Sequence, residues 1–172
     1  MERLVRFIAR GPVAVCAAAA RHLLVVYHSR SGGTQALADA AIAGATSDEI
    51  DGVEVRVRPA FDATVDDVRW CEGIVLGTPE NFGYMSGALK DFFERIYYTL
   101  LDETRGLPYA LFVKGGHDGE GAVRSVERIV TGLAWKSVLA PVLVVGEIDD
   151  AALEQCHELG ITFAAGLEAG VF

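Results

Sequence analysis

The feature that most constrains this chain is an alternation. From His22 onward, short β-branched apolar runs trade places with segments whose apolar residues recur at helical spacing. The first run, His22 to His28, is followed by Leu37, Ala38, Ala41, Ile42 and Ala45. Val53, Val55 and Val57 alternate with Glu54, Arg56 and Arg58, the pattern of a strand with one wet face, and Pro59 ends it. Gly73 to Gly77 is a third strand run. Behind it, Leu89, Phe92, Phe93, Ile96, Tyr97 and Leu100 follow the i, i+3, i+4, i+7 rule, with Ser86 as the expected N-cap. Tyr109 to Val113, a helix through Val123, Val126, Ile129, Val130 and Leu133, and Val142 to Val145 continue the series. A last helix capped by Asp149 or Asp150 carries Leu153, Cys156, Phe163 and Leu167.

Strand and helix in strict turn imply an α/β fold, a parallel sheet with helices on both faces. The composition of each run assigns its place in the sheet. Strands one and three are almost continuously apolar and belong in the centre. Strand two alternates and belongs at an edge. Strand five starts at Pro141, which is tolerated at edges and strand starts. A five-stranded parallel sheet of order 2-1-3-4-5 meets these conditions. Its ligand crevice lies at the carboxyl ends of strands one and three, where the strand order reverses.

The chain has 172 residues and a net charge of -9. The length suits one domain, read here as 22–172, behind a flexible N-terminal extension over 1–21. That extension has Arg3, Arg6 and Arg10 before an apolar run from Pro12 to Ala20, a crude secretory pattern. Arg10 and Gly11 interrupt it, and the run is short, so we read a cytoplasmic protein. No other segment is apolar for long enough to span a bilayer. The acidic balance speaks against nucleic acid and anionic membrane as partners. Cys16, Cys71 and Cys156 form no C-x-x-C pair and no metal-ligand spacing with histidine, so reduced cysteines and no metal are expected.

Three loops at the expected crevice are polar and rich in glycine. The first, Ser29-Arg30-Ser31-Gly32-Gly33-Thr34, runs from strand one into a helix. Its N–H groups can converge on an anion, with the Ser29, Ser31 and Thr34 hydroxyls as further donors. Hydrogen bonds to a charged group are worth roughly 1.5–3 kcal/mol each, so such a loop holds a phosphate without lysine. The same residues would also make an ordinary turn with an N-cap. The loop lacks the G-K-[ST] of a Walker motif and does not read G-x-G-x-x-G. The second loop follows strand three from Thr78 through Pro79, Glu80, Asn81, Phe82, Gly83, Tyr84 and Met85. Its aromatic surface suits a flat ligand, or seals the sheet end. The third, Lys114-Gly115-Gly116-His117-Asp118-Gly119-Glu120-Gly121, has four glycines in eight residues, which lets backbone approach a ligand. His117 either pairs with that ligand and moves a proton, as the candidate catalytic residue, or is a solvated loop histidine. His28 is read as locally packed or hydrogen-bonded, His22 and His157 as incidental, and Trp70 and Trp135 as core filling.

The sequence resembles flavodoxin-like FMN-binding proteins, and within them the WrbA-like NAD(P)H:quinone oxidoreductases. Ser29-x-Ser31-Gly32-x-Thr34 is similar to the flavodoxin phosphate-loop motif. Gly77-Thr78-Pro79-x-x-Phe82-Gly83-x-Met85-Ser86-Gly87 resembles the second flavin loop of the WrbA-like group, and Gly115-Gly116-x-x-Gly119-Glu120 its third. The resemblance implies a flavodoxin-like three-layer sandwich. It implies FMN, with its phosphate at Ser29, Arg30, Ser31, Gly32, Gly33 and Thr34. The ring would lie against Thr78, Pro79, Glu80, Asn81, Phe82, Gly83, Lys114, Gly115, Gly116 and His117. It implies electron transfer from NADH or NADPH to a quinone or similar small acceptor. Two departures stand out: Glu80-Asn81 replaces the family's arginine or similar residue, and the stretch between strands two and three is short. The family uses that stretch in its tetramer, so a homodimer is carried here as the expected assembly.

Two functions remain open: an NAD(P)H-dependent reductase, or an electron carrier that binds FMN without its own NAD(P)H reaction. A receiver-type signalling domain has the same strand order but needs an acidic pair after strand one and an aspartate ending strand three. This chain has His28-Ser29 and Gly77-Thr78 there.

Overall fold

A computed structural model describes residues 19–172. The expected extension therefore lies almost wholly outside the described residues, as do Arg3, Arg6, Arg10 and Cys16. The elements in chain order are β1 (Arg21–Tyr27), α1 (Gly33–Ala45), β2 (Val53–Pro59), α2 (Val65–Trp70), β3 (Gly73–Asn81) and β4 (Tyr84–Met85), then α3 (Gly87–Leu100), β5 (Pro108–Gly115), α4 (Glu120–Gly132), β6 (Lys136–Ser137), β7 (Val142–Val145) and α5 (Asp150–Glu168).

The sheet runs β2-β1-β3-β5, all parallel, and β6 and β7 both pair with the outer side of β5. β6 lies opposite Pro108 and Tyr109, and β7 opposite Phe112 to Gly115. They are two halves of one interrupted edge strand, and Pro141, without an N–H to give the ladder, stands in the gap. With those halves counted as one, the order is the expected 2-1-3-4-5, and the architecture is a flavodoxin-like α/β sandwich.

Strand alternation sorts the core into two layers. Leu23 and Val25 of β1 face α1 and α5 with Val75, Ala110 and Phe112. Leu24 and Val26 face α3 and α4 with Ile74, Leu76, Leu111 and Val113. Ser86 caps α3 by accepting from the Leu89 N–H, and Asp149 caps α5 by accepting from the Ala152 N–H.

Three elements escaped the sequence reading: α2, β4 and the two-residue β6. α2 is short, but Thr64 and Asp67 form a reciprocal capping box at its start. β4 turns the second crevice loop into a β-hairpin, pairing Glu80 with Met85 and Asn81 with Tyr84. The hairpin turn is Phe82-Gly83, with φ of 55° and 70°. Both values are positive, the signature of a type I′ turn. Strand three thus continues to Asn81, four residues past the Gly77 boundary expected for it.

Candidate functional site

The carboxyl tips of β1, β3 and β5 bring the three glycine-rich loops together. A cavity of about 220 Å3 between them is lined by Arg30, Ser31, Gly33, Thr34, Pro79, Glu80, Asn81, Lys114, Gly115 and Gly116. Ten residues expected from the sequence therefore share one cleft. Ser29, Gly32, Thr78, Phe82, Gly83 and His117 do not line it.

Each of the latter has a definite place. The Ser29 Oγ accepts the Gly32 N–H at 3.1 Å, shaping the first loop from within. Gly32 is the N-cap of α1 at φ 92°, a left-handed conformation that disfavours residues with a side chain. Thr78 is fully buried: its hydroxyl donates to the Pro79 carbonyl at 2.9 Å and accepts the Ser86 N–H at 2.9 Å. Thr78 thus braces the hairpin and is not exposed to a ligand. Phe82 projects from the hairpin tip, fully exposed. The His117 ring is exposed too, while its backbone N–H is engaged.

α1, like α4, starts at a left-handed glycine without a side-chain cap, whereas α2, α3 and α5 are capped. α1 has no acidic residue in its first turn. Its first free N–H groups, backed by the helix dipole, therefore open toward the side where Arg30, Ser31 and Thr34 line the cavity. That arrangement fits a phosphate group: convergent amides, hydroxyls and one guanidinium. Lys114 adds a second cation. Its stem packs beside Gly33, and its Nζ donates to the Gly115 carbonyl at 3.0 Å. The Glu80 carboxylate thus shares the cavity lining with two cations, Arg30 and Lys114.

Glu80 faces the third loop. Its Oε2 accepts the N–H groups of Gly116 and His117, both at 3.0 Å. The hairpin is also held from the helix side, by residues the sequence reading passed over. Ser125 of α4 accepts the Met85 N–H at 3.0 Å and donates to the Ala122 carbonyl at 2.7 Å. A Cβ on Gly121 would lie 2.0 Å from the Gly83 carbonyl oxygen. A glycine inside a helix is costly relative to alanine, and that cost was the available signal of close backbone approach.

The remaining candidates sort as follows. His28 packs edge-on against Phe61, with ring centroids 6.1 Å apart, and its Nδ1 is buried without a partner. Burial lowers its pKa from the ordinary value. Trp135 fills the core as expected and donates to Thr104. Trp70 packs partly buried against the core as well, with His22 stacked on it at 4.4 Å and the Arg56 guanidinium at 3.8 Å, so His22 is a packing partner and not incidental. Burial pushes the Cys71 thiol up to about 12 and the Cys156 thiol up to about 11, which makes both inert. Two clefts of about 400 Å3 or more lie elsewhere. One, of about 400 Å3, opens where β1 and β5 begin, and along its lining Arg21 pairs with Glu72 and Arg69 with Glu103. The other, of about 450 Å3, lies between α3 and α4. Among the described residues, no group of three or more His, Cys, Asp and Glu could hold a metal, and no helix is long and apolar enough to cross a membrane.

Comparison with known proteins agrees with this geometry. The chain is 34% identical over 111 residues to a flavodoxin of Aquifex aeolicus (strain VF5), a match covering 64% of this chain and 59% of the relative. It is 32% identical over 93 residues to an NAD(P)H dehydrogenase (quinone) of Acidithiobacillus ferrooxidans, covering 42% of this chain and 46% of the relative. The chain therefore spans about half the length of these curated relatives. Among solved structures, a flavodoxin from the domain Archaea superposes with a TM-score of 0.75 at 24% identity, covering 86% of this chain and 99% of the other, which establishes the fold. The family described as NADPH-dependent FMN reductase matches residues 22–150, from the first strand through the last crevice-side loop. The chain belongs to that family.

Proposed function

We propose that this chain binds FMN at the three-loop cavity and passes electrons from NADH or NADPH to a quinone or similar small acceptor, in the manner of WrbA-like quinone oxidoreductases. The observation that carries the reading is the uncapped start of α1 facing the cavity that Arg30, Ser31 and Thr34 line. Ser29 to Thr34 would hold the phosphate through amides, hydroxyls and the Arg30 guanidinium. The ring would be bracketed by Pro79 to Gly83 on one side and Lys114 to His117 on the other. Bound FMN supplies the hydride and electron chemistry; the protein orients it. Thr78 and Ser125 fix the hairpin, Phe82 offers an apolar face, and the exposed His117 imidazole would hold or move a proton. The net charge of -9 favours a small molecule or a basic protein as partner over nucleic acid, and a cytoplasmic setting and a homodimer complete the reading.

The test is direct. Purified protein, loaded with FMN, is mixed anaerobically with NADH and then NADPH while its visible spectrum is followed. Rapid bleaching supports the reductase. A well-folded protein that does not retain FMN would refute the whole reading. Yellow protein that stays oxidised supports the second function, an electron carrier, which the identity to the Aquifex aeolicus flavodoxin favours.

A further inference from the structure

The β3–β5 ladder has its last rung at Pro79–Lys114. Proline has no N–H to extend it. Beyond that rung, the Gly116 and His117 N–H groups cross back toward the second loop and meet a side chain, the Glu80 carboxylate, both at 3.0 Å. Two successive amides aimed at one oxygen form a small anion nest, and here the protein supplies the anion itself. Glu80 is rigidly presented, because the next hydrogen-bonded register, Glu80–Met85, belongs to the hairpin. That hairpin is in turn anchored to α4 through Ser125. Gly115 pairs with Val145 and Gly119 packs against Leu143, but at the tip between them Gly116 is exposed, and a Cβ on it would meet nothing within 4 Å.

From this geometry we propose that Glu80 is a positioning residue that ties the third crevice loop to the second, pre-forming the cradle that receives the cofactor ring. The proposal rests on the FMN reading above. Without the tie, the third loop must be ordered at the moment of binding, and affinity falls by that ordering cost. The role differs from direct contact with the cofactor, because the acceptor Glu80 provides is used by backbone amides.

Two variants separate geometry from charge. Glu80→Gln keeps an acceptor oxygen for both amides without the charge, and Glu80→Ala removes the acceptor. Amide exchange at Gly116 and His117 is measured in the apoprotein by nuclear magnetic resonance, with the β1 amides as an internal control of global stability. FMN affinity is measured by fluorescence titration. A hydrogen bond to a charged acceptor is worth tenfold or more. Glu80→Ala should therefore speed exchange at those two amides by at least about tenfold, leave the β1 amides unchanged and weaken FMN binding by a similar factor. Glu80→Gln should recover most of both. Unchanged exchange at Gly116 and His117 in Glu80→Ala would overturn the tie. Equal or tighter FMN binding by Glu80→Ala would also overturn the proposal, since Glu80 would then be a plug that competes with the cofactor. If even the unaltered protein fails to take up FMN, the proposed function falls, and the exchange measurement still decides the tie by itself.

Discussion

Phe82 occupies a conformation and an exposure that phenylalanine does not ordinarily combine. Its φ is 55°, in the left-handed region, and its ring is fully exposed. Left-handed backbone costs a residue with a side chain about 1–2 kcal/mol. In the free protein no burial of the ring offsets that cost. A type I′ turn prefers Asn-Gly at its two central positions, and Gly83 already holds the second. Phe82→Asn should therefore stabilise the apoprotein by about 1 kcal/mol, or roughly 2–4 °C in Tm for a domain of this size. Cofactor binding should move the other way. If the ring gives about 100 Å2 of apolar surface to FMN, then at about 25 cal/mol/Å2 its loss costs about 2.5 kcal/mol, roughly 60-fold in Kd. Calorimetry of the apoprotein and fluorescence titration with FMN read the two effects separately. A variant that is less stable without FMN would show that the ring is packed and the turn unstrained. A variant that binds FMN as tightly as before would remove Phe82 from the binding surface.

Three further perturbations follow from the same geometry. Gly32→Val places a β-branched residue at φ 92°, where a Cβ meets nothing within 4 Å, so the harm is torsional. We expect a loss of about 1–3 kcal/mol and no retained FMN, and a yellow purified variant would contradict the first-loop assignment. Gly121→Ala drives a Cβ to 2.0 Å from the Gly83 carbonyl and must displace the hairpin, so FMN affinity should drop even where helix propensity rises; unaltered titration would show that the hairpin does not need α4. For Asp67, burial alone would raise the carboxyl pKa, but hydrogen bonds from Thr64 and Arg56 and the charge of Arg58 hold it below its ordinary value. Its stabilising contribution is therefore complete above the unfolded carboxyl pKa of about 3.9 and is lost as pH falls through the lower folded value. Urea unfolding should find Asp67→Asn less stable than the parent at pH 6, with the gap closing below about pH 4; a gap that persists undiminished in acid would mean that the ion pairs contribute little.

How far the sequence was legible depended on whether a feature left a local pattern. Sheet order could be read because edge and centre strands differ in composition: alternating Val and charge in β2, continuous apolar residues in β1 and β3. The first loop could be read because Gly32, Ser29 and Thr34 must sit together between one strand and its helix. The hairpin could not, since Phe82-Gly83 is a poor type I′ sequence and its partner strand is only Tyr84 and Met85. α2 was missed although Thr64 and Asp67 carry a capping signature, because six residues are too few to show a helical period. β6 was missed because its two residues, Lys136 and Ser137, are too few to show strand alternation. Thr78 was read as a ligand contact because it sits in a loop motif, and only the fold reveals that its hydroxyl is consumed by Pro79 and Ser86. The Glu80 contact spans 36 and 37 residues of sequence, and no local pattern announces it.

An uncapped helix start should weaken α1 slightly, because a glycine N-cap in place of Ser or Asp costs about a few tenths of a kcal/mol. α2, α3 and α5 keep their caps. α1 makes up the deficit at its other end, against α5. A Cβ on Gly160 would lie 1.9 Å from the Ala41 carbonyl, and one on Gly44 would lie 2.1 Å from the His157 carbonyl, so the two helices touch backbone to backbone. At about 1.5 Å per residue, Ala41 is about 12 Å along the axis from Gly33 at the helix start. The amides that face the cavity are thus held in place by packing remote from it, which leaves them free for a ligand. Gly160→Ala tests that division. Forcing the helices apart should cost about 1–3 kcal/mol in urea unfolding. If α5 sets where the start of α1 lies, FMN affinity should fall as well, although Gly160 is nowhere near the crevice. A variant that loses stability but keeps its FMN affinity would show that the first loop is positioned by β1 alone.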